Sequence, residues 1–374
     1  MEAVFLGHEA GYETVVIDRR PDAPALSICD EPHVLNPLTD VKEALRVFST
    51  CDAVIPACEE LDLLEALDDM LGGSGIPFLF DLDSYDVSCS KNLSNEVMAS
   101  VDVPLPGRWP ECGFPVIVKP SCQSGSIGVS VAFTQEDVDR GLRTVEELGD
   151  QPVIQEFVHG KSVSIEVIGD GETARSFVTT EVVLDTNYDC KMVRCFPDIL
   201  TPEQEDEFRG IGKRVAEAIG LSALMDVEAI LTPKGLRVLE IDARIPSQTP
   251  AAIYIATGIN LLEELVTTAL GDPKGREGSG GSGIYWHLHF RDGVLRTTGE
   301  KEFGKVRKPI MGSGLFGSDR YISDYHPGCR EWHGTFMVSG GTPEEAELRR
   351  LQVLDNIKRE CDIVEYNDGT PEVI

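Results

Sequence analysis

Carboxylates alternate with apolar residues in the middle of this chain, at a spacing that suits a metal-binding pair of strands. Residues 225–229 read Met-Asp-Val-Glu-Ala, a turn follows at 233–235, and residues 237–244 read Arg-Val-Leu-Glu-Ile-Asp-Ala-Arg. Because successive side chains of a strand point to opposite faces, Glu240 and Asp242 share one face. Glu228, or its neighbour Asp226, can face them from the adjacent strand. Carboxylates crowded in this way repel each other unless a cation lies among them, and hard oxygen ligands suit Mg²⁺ held partly by substrate phosphates.

Arg244 is the next residue on the same predicted face, where it can meet a phosphoryl oxygen or a carboxylate. The alternative interpretation is a solvated acidic strand face. The apolar residues Val238, Leu239 and Ile241 argue against that alternative, because they indicate that the strand pair packs on a core. We therefore predict a metal and phosphate site here.

A second segment combines one lysine with a run of small residues. The apolar strand predicted at 115–120 contains Lys119, and residues 121–129 read Ser-Cys-Gln-Ser-Gly-Ser-Ile-Gly-Val. Small residues let backbone N–H groups approach phosphate oxygens, and the lysine adds a positive charge. The lysine precedes the loop, so the segment differs from the P-loop pattern. A hairpin with a lysine at its edge is the alternative.

A third segment is a strand that ends in a short hinge. Residues 153–158 read Val-Ile-Gln-Glu-Phe-Val, Gly160 marks a turn, and a new apolar strand follows. Backbone groups of Glu156 and Val158 can read the edge of an adenine. Without further context, a plain β-hairpin is the better interpretation of this segment.

The net charge of the chain argues against some classes of binding partner. The 374 residues carry a formal net charge of −31, with 41% hydrophobic and 26% charged residues. So acidic a surface repels nucleic-acid phosphates, which argues against nucleic-acid binding and means that an ATP site needs local cations. No apolar run is long enough to span a bilayer, so we expect no membrane partner. Ten cysteines without a CxxC pair predict reduced thiols in a cytoplasmic globular protein.

The first part of the chain alternates predicted helices and strands. We predict helices at 1–10, 61–71 and 91–100, and strands at 14–17, 53–56 and 77–80. This alternation predicts a parallel α/β sheet that binds ligands at the carboxyl ends of its strands. A nucleotide-binding unit of this kind starts with a strand and a Gly-rich turn, which do not precede the first helix here. We therefore expect a Rossmann-like domain that lacks its first strand, with the true start upstream; a smaller sheet is the alternative.

The remainder of the chain is richer in predicted strands. Helices are predicted at 202–219, 259–270 and 343–360, and Gly-Ser-Gly-Gly-Ser-Gly at 278–283 predicts a flexible linker or loop. His287 and His289 lie two apart on a predicted strand, but without a third ligand nearby we expect them to pack or to be exposed. The predicted domains are a Rossmann-like domain at 1–84, a lid subdomain with its connector at 85–160, a catalytic subdomain at 161–277, and a β-rich carboxyl-terminal part with a terminal helix at 278–374.

Taken in this order, the three segments resemble the ATP-grasp superfamily over roughly residues 91–270. The resemblance implies an ATP-grasp fold, α/β overall and α+β in its catalytic part, with a Rossmann-like pre-ATP-grasp domain before it and a β-rich part after it. It also implies ATP and Mg²⁺ as cofactors. The metal ligands it implies are Glu228, Glu240 and Asp242, although many members have Asn in place of Asp242. The implied nucleotide-binding residues are Lys91, Lys119, Ser121, Ser124, Gly125, Ser126, Glu156, Phe157 and Val158, to which we add Asp18 at the end of a strand in the first domain.

A narrower resemblance links the chain to the ligase family of pyrrolysine biosynthesis. It is carried by residues 188–193, 225–230, 235–244, 246–250 and 258–261, and it weakens after residue 278. That family joins 3-methyl-D-ornithine to the side-chain amine of L-lysine through an acyl phosphate. The resemblance therefore implies an ADP-forming carbon–nitrogen ligase in which Arg244 and Lys119 are catalytic. The family's amino-terminal Gly-rich turn is missing from this sequence.

Two diamino-acid substrates need acidic partners for their ammonium groups. Glu59, at the switch point of the first domain, is the candidate for the lysine substrate, although a solvated helix start is the alternative. The other substrate candidates are Ser164, Glu166, Asp185, Asp226, Ser247 and Thr249, the last two in a loop of small donors suited to a carboxylate. Two other functions stay open: another ATP-grasp amino-acid or dipeptide ligase, and a nucleotide-binding regulatory protein without turnover. The expected partners are small amino acids, and a homodimer is one expected assembly.

Overall fold

The structure is a computed structural model that describes residues 1–123, 125, 127–275 and 278–371. Its α-helices, in chain order, are α1 Glu2–Glu9, α2 Val41–Phe48, α3 Leu61–Leu71, α4 Leu82–Ser88, α5 Lys91–Ser100, α6 Gln135–Glu147, α7 Pro202–Ile219, α8 Thr249–Thr257, α9 Leu261–Ala269, α10 Glu300–Phe303 and α11 Pro343–Glu360. Its strands are β1 Val15–Asp18, β2 Glu31–Val34, β3 Val116–Pro120, β4 Ser130–Ala132, β5 Pro152–Glu156, β6 Lys161–Gly169, β7 Ala174–Leu184, β8 Cys190–Cys195, β9 Leu224–Thr232, β10 Gly235–Asp242, β11 Ser282–Arg291, β12 Val294–Thr297, β13 Ile310–Gly312, β14 Arg320–Ser323, β15 Glu331–Gly340 and β16 Glu365–Asn367. Within this described part of the chain, none of the helices is both long and apolar enough to cross a bilayer.

Two units divide the chain. The first unit contains Met1–Phe80, Thr180–Ile199 and residues 245–371, and the second contains Asp81–Thr179 and Leu200–Arg244. The chain passes from the second unit to the first within β7. The division into four domains made from the sequence stays a prediction.

The first unit begins with a small parallel α/β arrangement, as the alternation of helices and strands predicts. Strands β1 and β2 pair in parallel. The strands predicted at 53–56 and 77–80 are reduced to one parallel bridge between Val54 and Phe78. Helices α2 and α3 cover these segments, and their buried residues Ala44, Phe48 and Leu67 form a shared core cluster. The predicted parallel direction is confirmed, whereas the predicted strand lengths are wrong.

The first unit also contains a large, mainly antiparallel sheet in the order β7–β8–β11–β15–β14–β13. Strand β12 pairs with β11, and β16 pairs in parallel with β12. Its core is aromatic: Trp286, Trp332 and Phe336 are fully buried, and α11 packs against them through residues that include Leu354. Rings of this size bury much apolar area each, so this cluster holds α11 on the sheet.

The Gly/Ser segment at 278–283, for which the composition predicts a flexible linker or loop, is irregular only over residues 278–281. Strand β11 already begins at Ser282, and both Ser282 and Gly283 are buried. A Cβ atom on Gly283 would lie 2.8 Å from the backbone nitrogen of Ala256 in α8. The glycine is therefore needed for close packing of a helix on a strand, which composition alone does not distinguish from flexibility.

The second unit combines two sheets. The order β4–β3–β5 forms a small sheet, and β10–β9–β6–β7 forms a larger one. Helix α6 packs on the small sheet, where Val138 and Val145 meet Val116 and Val118. Helix α7 packs along the larger sheet through a buried face that includes Phe208. The hairpin and strand predictions for 115–120, 153–158 and 225–242 are confirmed.

Local capping explains why several helices begin where they do. In α6 and α7, the side chain of the capping threonine accepts an N–H bond three residues on, and that third residue bonds back to the cap. Each such box satisfies N–H groups that a helix start leaves unpaired. Helix α7 ends at Gly220, whose φ of 68° lies in the left-handed region that glycine adopts without strain.

Replacing Asp81 with alanine should destabilise the second unit by about 1–2 kcal/mol, the usual cost of losing a helix cap. Asp81 Oδ1 accepts a bond from the Ser84 N–H at 3.1 Å, and Oδ2 accepts one from the Ser222 N–H at 2.8 Å. One carboxylate thus fixes both the start of α4 and the loop before β9. The shift in the denaturant midpoint measures this loss; the exposed Asp86→Ala change in α4 is the control. Equal midpoints for the two variants would contradict the prediction.

Candidate active site

Strand register places carboxylates in two rows across three strands of the second unit. On β10, Glu240 lies directly opposite Glu228 of β9, and Asp242 lies opposite Asp226. The pairing of β9 with β6 extends each row, because Glu228 lies opposite Ser164 and Asp226 opposite Glu166. Directly paired residues of an antiparallel ladder project from the same face. We call the six residues Ser164, Glu166, Asp226, Glu228, Glu240 and Asp242 the carboxylate face.

The sequence left open whether Glu228 or Asp226 faces the pair on β10. Both do, since they lie two residues apart on β9 and each has its own partner. A shift in register between Val238 and Glu240 makes Leu239 the extra residue of a bulge. The bulge interrupts the ladder next to the acidic pair and re-aims the backbone there. At this bulge, the Lys119 Nζ donates a hydrogen bond to the Leu239 carbonyl oxygen at 3.4 Å.

Burial and mutual repulsion raise the pKa values of two carboxyl groups in the carboxylate face, those of Asp226 and Glu228. Ser164, Glu166 and Asp226 are buried, with Glu166 fully so. Burial, together with the charges of Asp242 and Glu228, raises the pKa of Asp226 well above its usual value. Burial and the charges of Glu240 and Asp242 raise the pKa of Glu228 to about 7. The face therefore has more negative charge than its protein neighbours balance, which is the electrostatic condition for binding a cation.

Three basic side chains meet this face. Lys91, at the start of α5, has its Nζ 3.0 Å from Glu240 Oε2. Arg244 lies just beyond β10, with its Nη2 2.8 Å from Asp242 Oδ2. Burial favours a neutral Glu240, but the charges of Lys119 and Lys91 outweigh it and lower the pKa of Glu240. Glu240 thus stays ionised between the two lysines.

The pKa values of Lys91 and Lys119 are shifted in opposite directions. Burial lowers the pKa of Lys119, which has only 6% of its surface exposed. Burial acts on Lys91 in the same direction, but Glu240 and Asp242 outweigh it and raise the Lys91 pKa. Lys119 is therefore the side chain whose charge gains most from an incoming anion such as a phosphate.

The loop of small residues after β3 meets the start of α5. The Ser121 hydroxyl accepts a bond from the Asn92 N–H at 3.2 Å, and the Lys91 Nζ donates to the Gln123 carbonyl at 3.0 Å. The Ser121 hydroxyl therefore helps to position the start of α5, which contains Lys91. Gly125 has a φ of 59°, in the left-handed region. Ser124 and Ser126, also predicted to bind phosphate, lie outside the described residues.

The predicted hinge follows β5 as expected. The Glu156 N–H donates to the Gly107 carbonyl at 2.8 Å, and its carboxylate accepts the Gly107 N–H at 3.0 Å. The Phe157 N–H donates to the Pro115 carbonyl at 3.1 Å. These bonds occupy the N–H groups of Glu156 and Phe157, so the predicted backbone donor to an adenine from this hinge is Val158.

Comparison with known proteins identifies the family of this chain. A family model described as the ATP-grasp domain matches residues 88–248. The 3-methyl-D-ornithine–L-lysine ligase of Methanosarcina barkeri is 36% identical over 309 residues, which cover 80% of this chain and 80% of that relative. The ligase of the same name from Methanosarcina mazei is 38% identical over 264 residues, covering 71% of this chain and 67% of that relative. This chain belongs to the ATP-grasp ligase family.

Solved structures share the fold of this ATP-grasp ligase. The biotin carboxylase domain dimer of Hydrogenobacter thermophilus 2-oxoglutarate carboxylase, in complex with MgADP, ADP and bicarbonate, matches with a TM-score of 0.71 at 20% identity, covering 94% of this chain and 86% of that one. The biotin carboxylase of Campylobacter jejuni matches with a TM-score of 0.72 at 16% identity, covering 95% and 88%. At such identities the likeness concerns the fold, and it confirms the predicted α/β ATP-grasp class.

ATP-grasp enzymes use ATP and Mg²⁺, so the cofactors predicted for this ATP-dependent ligase are confirmed at the level of the family. The donor set of the second unit fits the metal. Glu228, Glu240 and Asp242 offer hard oxygen atoms on one face, and the raised pKa of Glu228 shows that the face lacks positive charge. The roles of these individual residues stay predictions.

The structure places the other predicted residues of the ATP-grasp ligase in the first unit. Asp18 ends β1 and accepts the Arg20 N–H at 2.8 Å, and Glu59 precedes α3. Asp185 organises its own turn, because its carboxylate accepts N–H groups of Asn187 at 2.7 Å and Gly299 at 3.2 Å. Ser247 is half-buried and Thr249 is buried.

Thr249 differs locally from its prediction. It is the first residue of helix α8 rather than part of an irregular loop, and Gln248 stands at the N-cap position without a side-chain capping bond. The physical reason lies in Pro250, which is pre-organised for the first turn of a helix and starts one here. Within the described chain, the buried Thr249 hydroxyl makes no hydrogen bond. That hydroxyl therefore keeps its capacity to bind a polar ligand atom.

Proposed function

We propose that this ATP-grasp ligase joins the carboxylate of 3-methyl-D-ornithine to the side-chain amine of L-lysine through an acyl phosphate, in pyrrolysine biosynthesis. The observation that carries the ligase chemistry is the carboxylate face with Lys91, Lys119 and Arg244 around it. The choice of substrates is supported by 3-methyl-D-ornithine–L-lysine ligases of Methanosarcina, which are 36–38% identical over 71–80% of this chain.

The nucleotide phosphates are held by Lys91, Lys119 and the backbone of the loop after β3. Glu228, Glu240 and Asp242 would hold Mg²⁺, which would supply positive charge that neutralises the phosphate oxygens. An anion beside Lys119 stabilises its charged form and so opposes the burial that lowers the pKa of this lysine. Its bond to the Leu239 carbonyl keeps its Nζ beside the acidic pair of β10.

The reaction takes place in two steps, phosphorylation of the carboxylate and attack by the amine. A carboxylate oxygen of the ornithine-type substrate attacks the γ-phosphorus of ATP, the bond to the β–γ bridging oxygen breaks, and ADP leaves. The lysine ε-amine then attacks the acyl carbon, gives up a proton, and expels inorganic phosphate. Arg244 stabilises the negative charge that develops on the acyl phosphate and on the tetrahedral centre.

Glu166 and Asp226 are suited to an ammonium group of a diamino acid. They share one row of the carboxylate face with Asp242, and both are buried. Burial and neighbouring carboxylates raise the pKa of Asp226, so a cation beside it stabilises its ionised form. Our assignments for the remaining substrate contacts are Ser164, Glu59, Asp185, Ser247 and Thr249.

Replacing Arg244 with lysine should uncouple the two steps. Lysine keeps the charge but loses the planar fork that matches carboxylate and phosphate oxygens. We expect amide formation to fall about 10–100-fold, and ADP release to fall less, since a poorly held acyl phosphate is lost to water. The ratio of amide to ADP, measured in one reaction, reports this directly. An unchanged ratio would contradict the role given to Arg244.

The proposed function is tested by following ADP release and product mass with ATP, Mg²⁺, D-ornithine and L-lysine. We expect ADP release that depends on both amino acids, and a product with the mass of their condensation. Replacing each in turn by D-alanine or L-alanine separates this ligase from a dipeptide ligase of the same family. Turnover with the alanines alone would overturn the substrate assignment, and ATP binding without turnover under every condition would favour the regulatory alternative.

We also propose a cytoplasmic location and a homodimer. All ten cysteines are free thiols, which agrees with a reducing compartment. A biotin carboxylase domain of the same fold forms a dimer. Within the chain, we propose that residues 85–160 act as the lid over the nucleotide and that residues 161–277 contain the catalytic subdomain. The mass of the purified protein by light scattering tests the assembly.

A further inference from the structure

Two histidines and a glutamate converge in the first unit, and none of them belongs to the carboxylate face or to its basic neighbours. His289 of β11 and His333 of β15 are direct partners in the antiparallel ladder. Each has only 7% of its surface exposed. Glu302 of α10 approaches both, with its Oε1 3.5 Å from His289 Nδ1 and 3.5 Å from His333 Nε2. One ligand atom from each of these three residues lies within 4.8 Å of the other two.

The spacing of these atoms suits a shared ion better than direct hydrogen bonds. A nitrogen–oxygen distance of 3.5 Å is long for a hydrogen bond. The buried His333 Nε2 makes no hydrogen bond within the described chain. A tetrahedral Zn²⁺ with bonds of about 2.0–2.1 Å separates neighbouring ligand atoms by roughly 3.3–3.4 Å. The contacts of Glu302 are thus close to the edges of such a tetrahedron.

The second nitrogen of each histidine also faces a carboxylate. Glu331 Oε1 lies 3.2 Å from His289 Nε2, and Asp324 Oδ2 lies 4.0 Å from His333 Nδ1. Metal-binding histidines commonly place their other ring nitrogen against a carboxylate, which fixes the ring and increases its basicity. The second oxygen of Glu302 contacts Lys305 Nζ at 2.5 Å, which leaves Oε1 directed to the histidines.

We propose that His289, Glu302 and His333 bind one divalent transition-metal ion, with Zn²⁺ the best match to two imidazoles and one carboxylate. The ion would link α10 to β11 and β15, and its fourth coordination position would be left for a water molecule. The two rings are now parallel, with centroids 4.3 Å apart. An imidazole nitrogen binds metal in the plane of its ring, so binding requires the rings to tilt toward one point. The nitrogen donors distinguish this site from the all-oxygen carboxylate face, which suits Mg²⁺.

Cobalt titration of the full-length protein tests this proposal. The protein is stripped with a chelator and titrated with Co²⁺ in a large excess of Mg²⁺, which occupies the carboxylate face. We expect one equivalent to bind, with visible d–d absorption and without the near-ultraviolet charge-transfer band of cobalt thiolates. Zn²⁺ should displace the Co²⁺ and raise the Tm. Binding by cysteines would produce the thiolate band and would overturn the proposal.

Matched variants assign the ligands. Glu302→Gln keeps the size of a half-exposed side chain, so the fold is retained, and we expect it to weaken Co²⁺ binding more than 10-fold. His333→Asn should do the same, and Glu331→Gln should weaken binding about 10-fold through His289. His326→Asn, at an exposed histidine of the same unit, should leave the affinity unchanged. Absence of stoichiometric binding by the wild type, or full binding by Glu302→Gln, would overturn the proposal.

Discussion

Replacing Glu240 with glutamine should lower ATP turnover by about 10²–10³-fold, the loss typical of removing one group that stabilises transferring charge. Glu240 is paired with Glu228 across the ladder and lies 3.0 Å from Lys91. Glutamine keeps the size and one oxygen, but it removes the charge that would attract Mg²⁺ and that pairs with Lys91. ADP release at saturating Mg²⁺ and ATP measures the effect.

The control for this variant is Glu217→Gln. Glu217 lies on the outer face of α7, where its carboxylate is 3.6 Å from Lys213 at the surface. Exposed pairs of this kind contribute little, so turnover should stay within about twofold of the wild type. An equal loss in both variants would indicate general destabilisation, and full activity in Glu240→Gln would remove this residue from the metal site.

Replacing Lys119 with methionine should lower kcat/KM for ATP by about 10²–10³-fold, since it removes a buried charge aimed at the phosphates. Methionine is similar in length, which keeps the packing of the 6% exposed side chain. The substitution also removes the first of the cations that lower the pKa of Glu240, so that pKa should rise. ADP release as a function of ATP concentration measures kcat/KM.

Lys213→Met on the surface of α7 is the matched control for Lys119→Met. It removes the same charge from a side chain that is 55% exposed. We expect ordinary ATP turnover and an unchanged melting temperature within about a degree. If Lys119→Met binds and turns over ATP as well as Lys213→Met does, the lysine does not contact the nucleotide.

Local sequence patterns predicted many of the elements that position this site. The bounds of α5, α7 and α11 match the predicted ranges, because a threonine or serine cap precedes each and two of them have proline in the first turn. The period-two alternation around Glu240 and Asp242 predicted their shared face. These signals come from residues that are close together in the chain, so they can be recognised in a single sequence.

The sequence interpretation missed other elements, and only one of them carried a usable signal. Helix α6 begins at a capping box formed by Thr134 and Asp137, the pattern that marks many helix starts. Helix α8 is buried on nearly all sides, so it lacks the polar face that reveals a surface helix. The Gly/Ser segment at 278–283 resembles a linker in composition, but Gly278, Gly281 and Gly283 pack closely against their neighbours.

Contacts between distant segments could not be predicted. The approach of Lys91 to Glu240 joins α5 to β10, and the bulge at Leu239 that receives Lys119 depends on how β10 pairs with β9. His289 lacked a third ligand in the sequence because His333 and Glu302 reach it only through strand pairing and a short helix. Register and long-range pairing depend on the whole fold, whereas periodicity depends on neighbours.

Oxygen transfer from the substrate carboxylate is the most direct test of the central claim, that this ligase forms an acyl phosphate. The protein is incubated with ATP, Mg²⁺, L-lysine and D-ornithine labelled with ¹⁸O in its carboxylate, and the inorganic phosphate is analysed by mass spectrometry. An acyl phosphate requires one ¹⁸O atom to appear in the phosphate for each amide formed, with the other retained in the amide. Amide formation with unlabelled phosphate would contradict the mechanism.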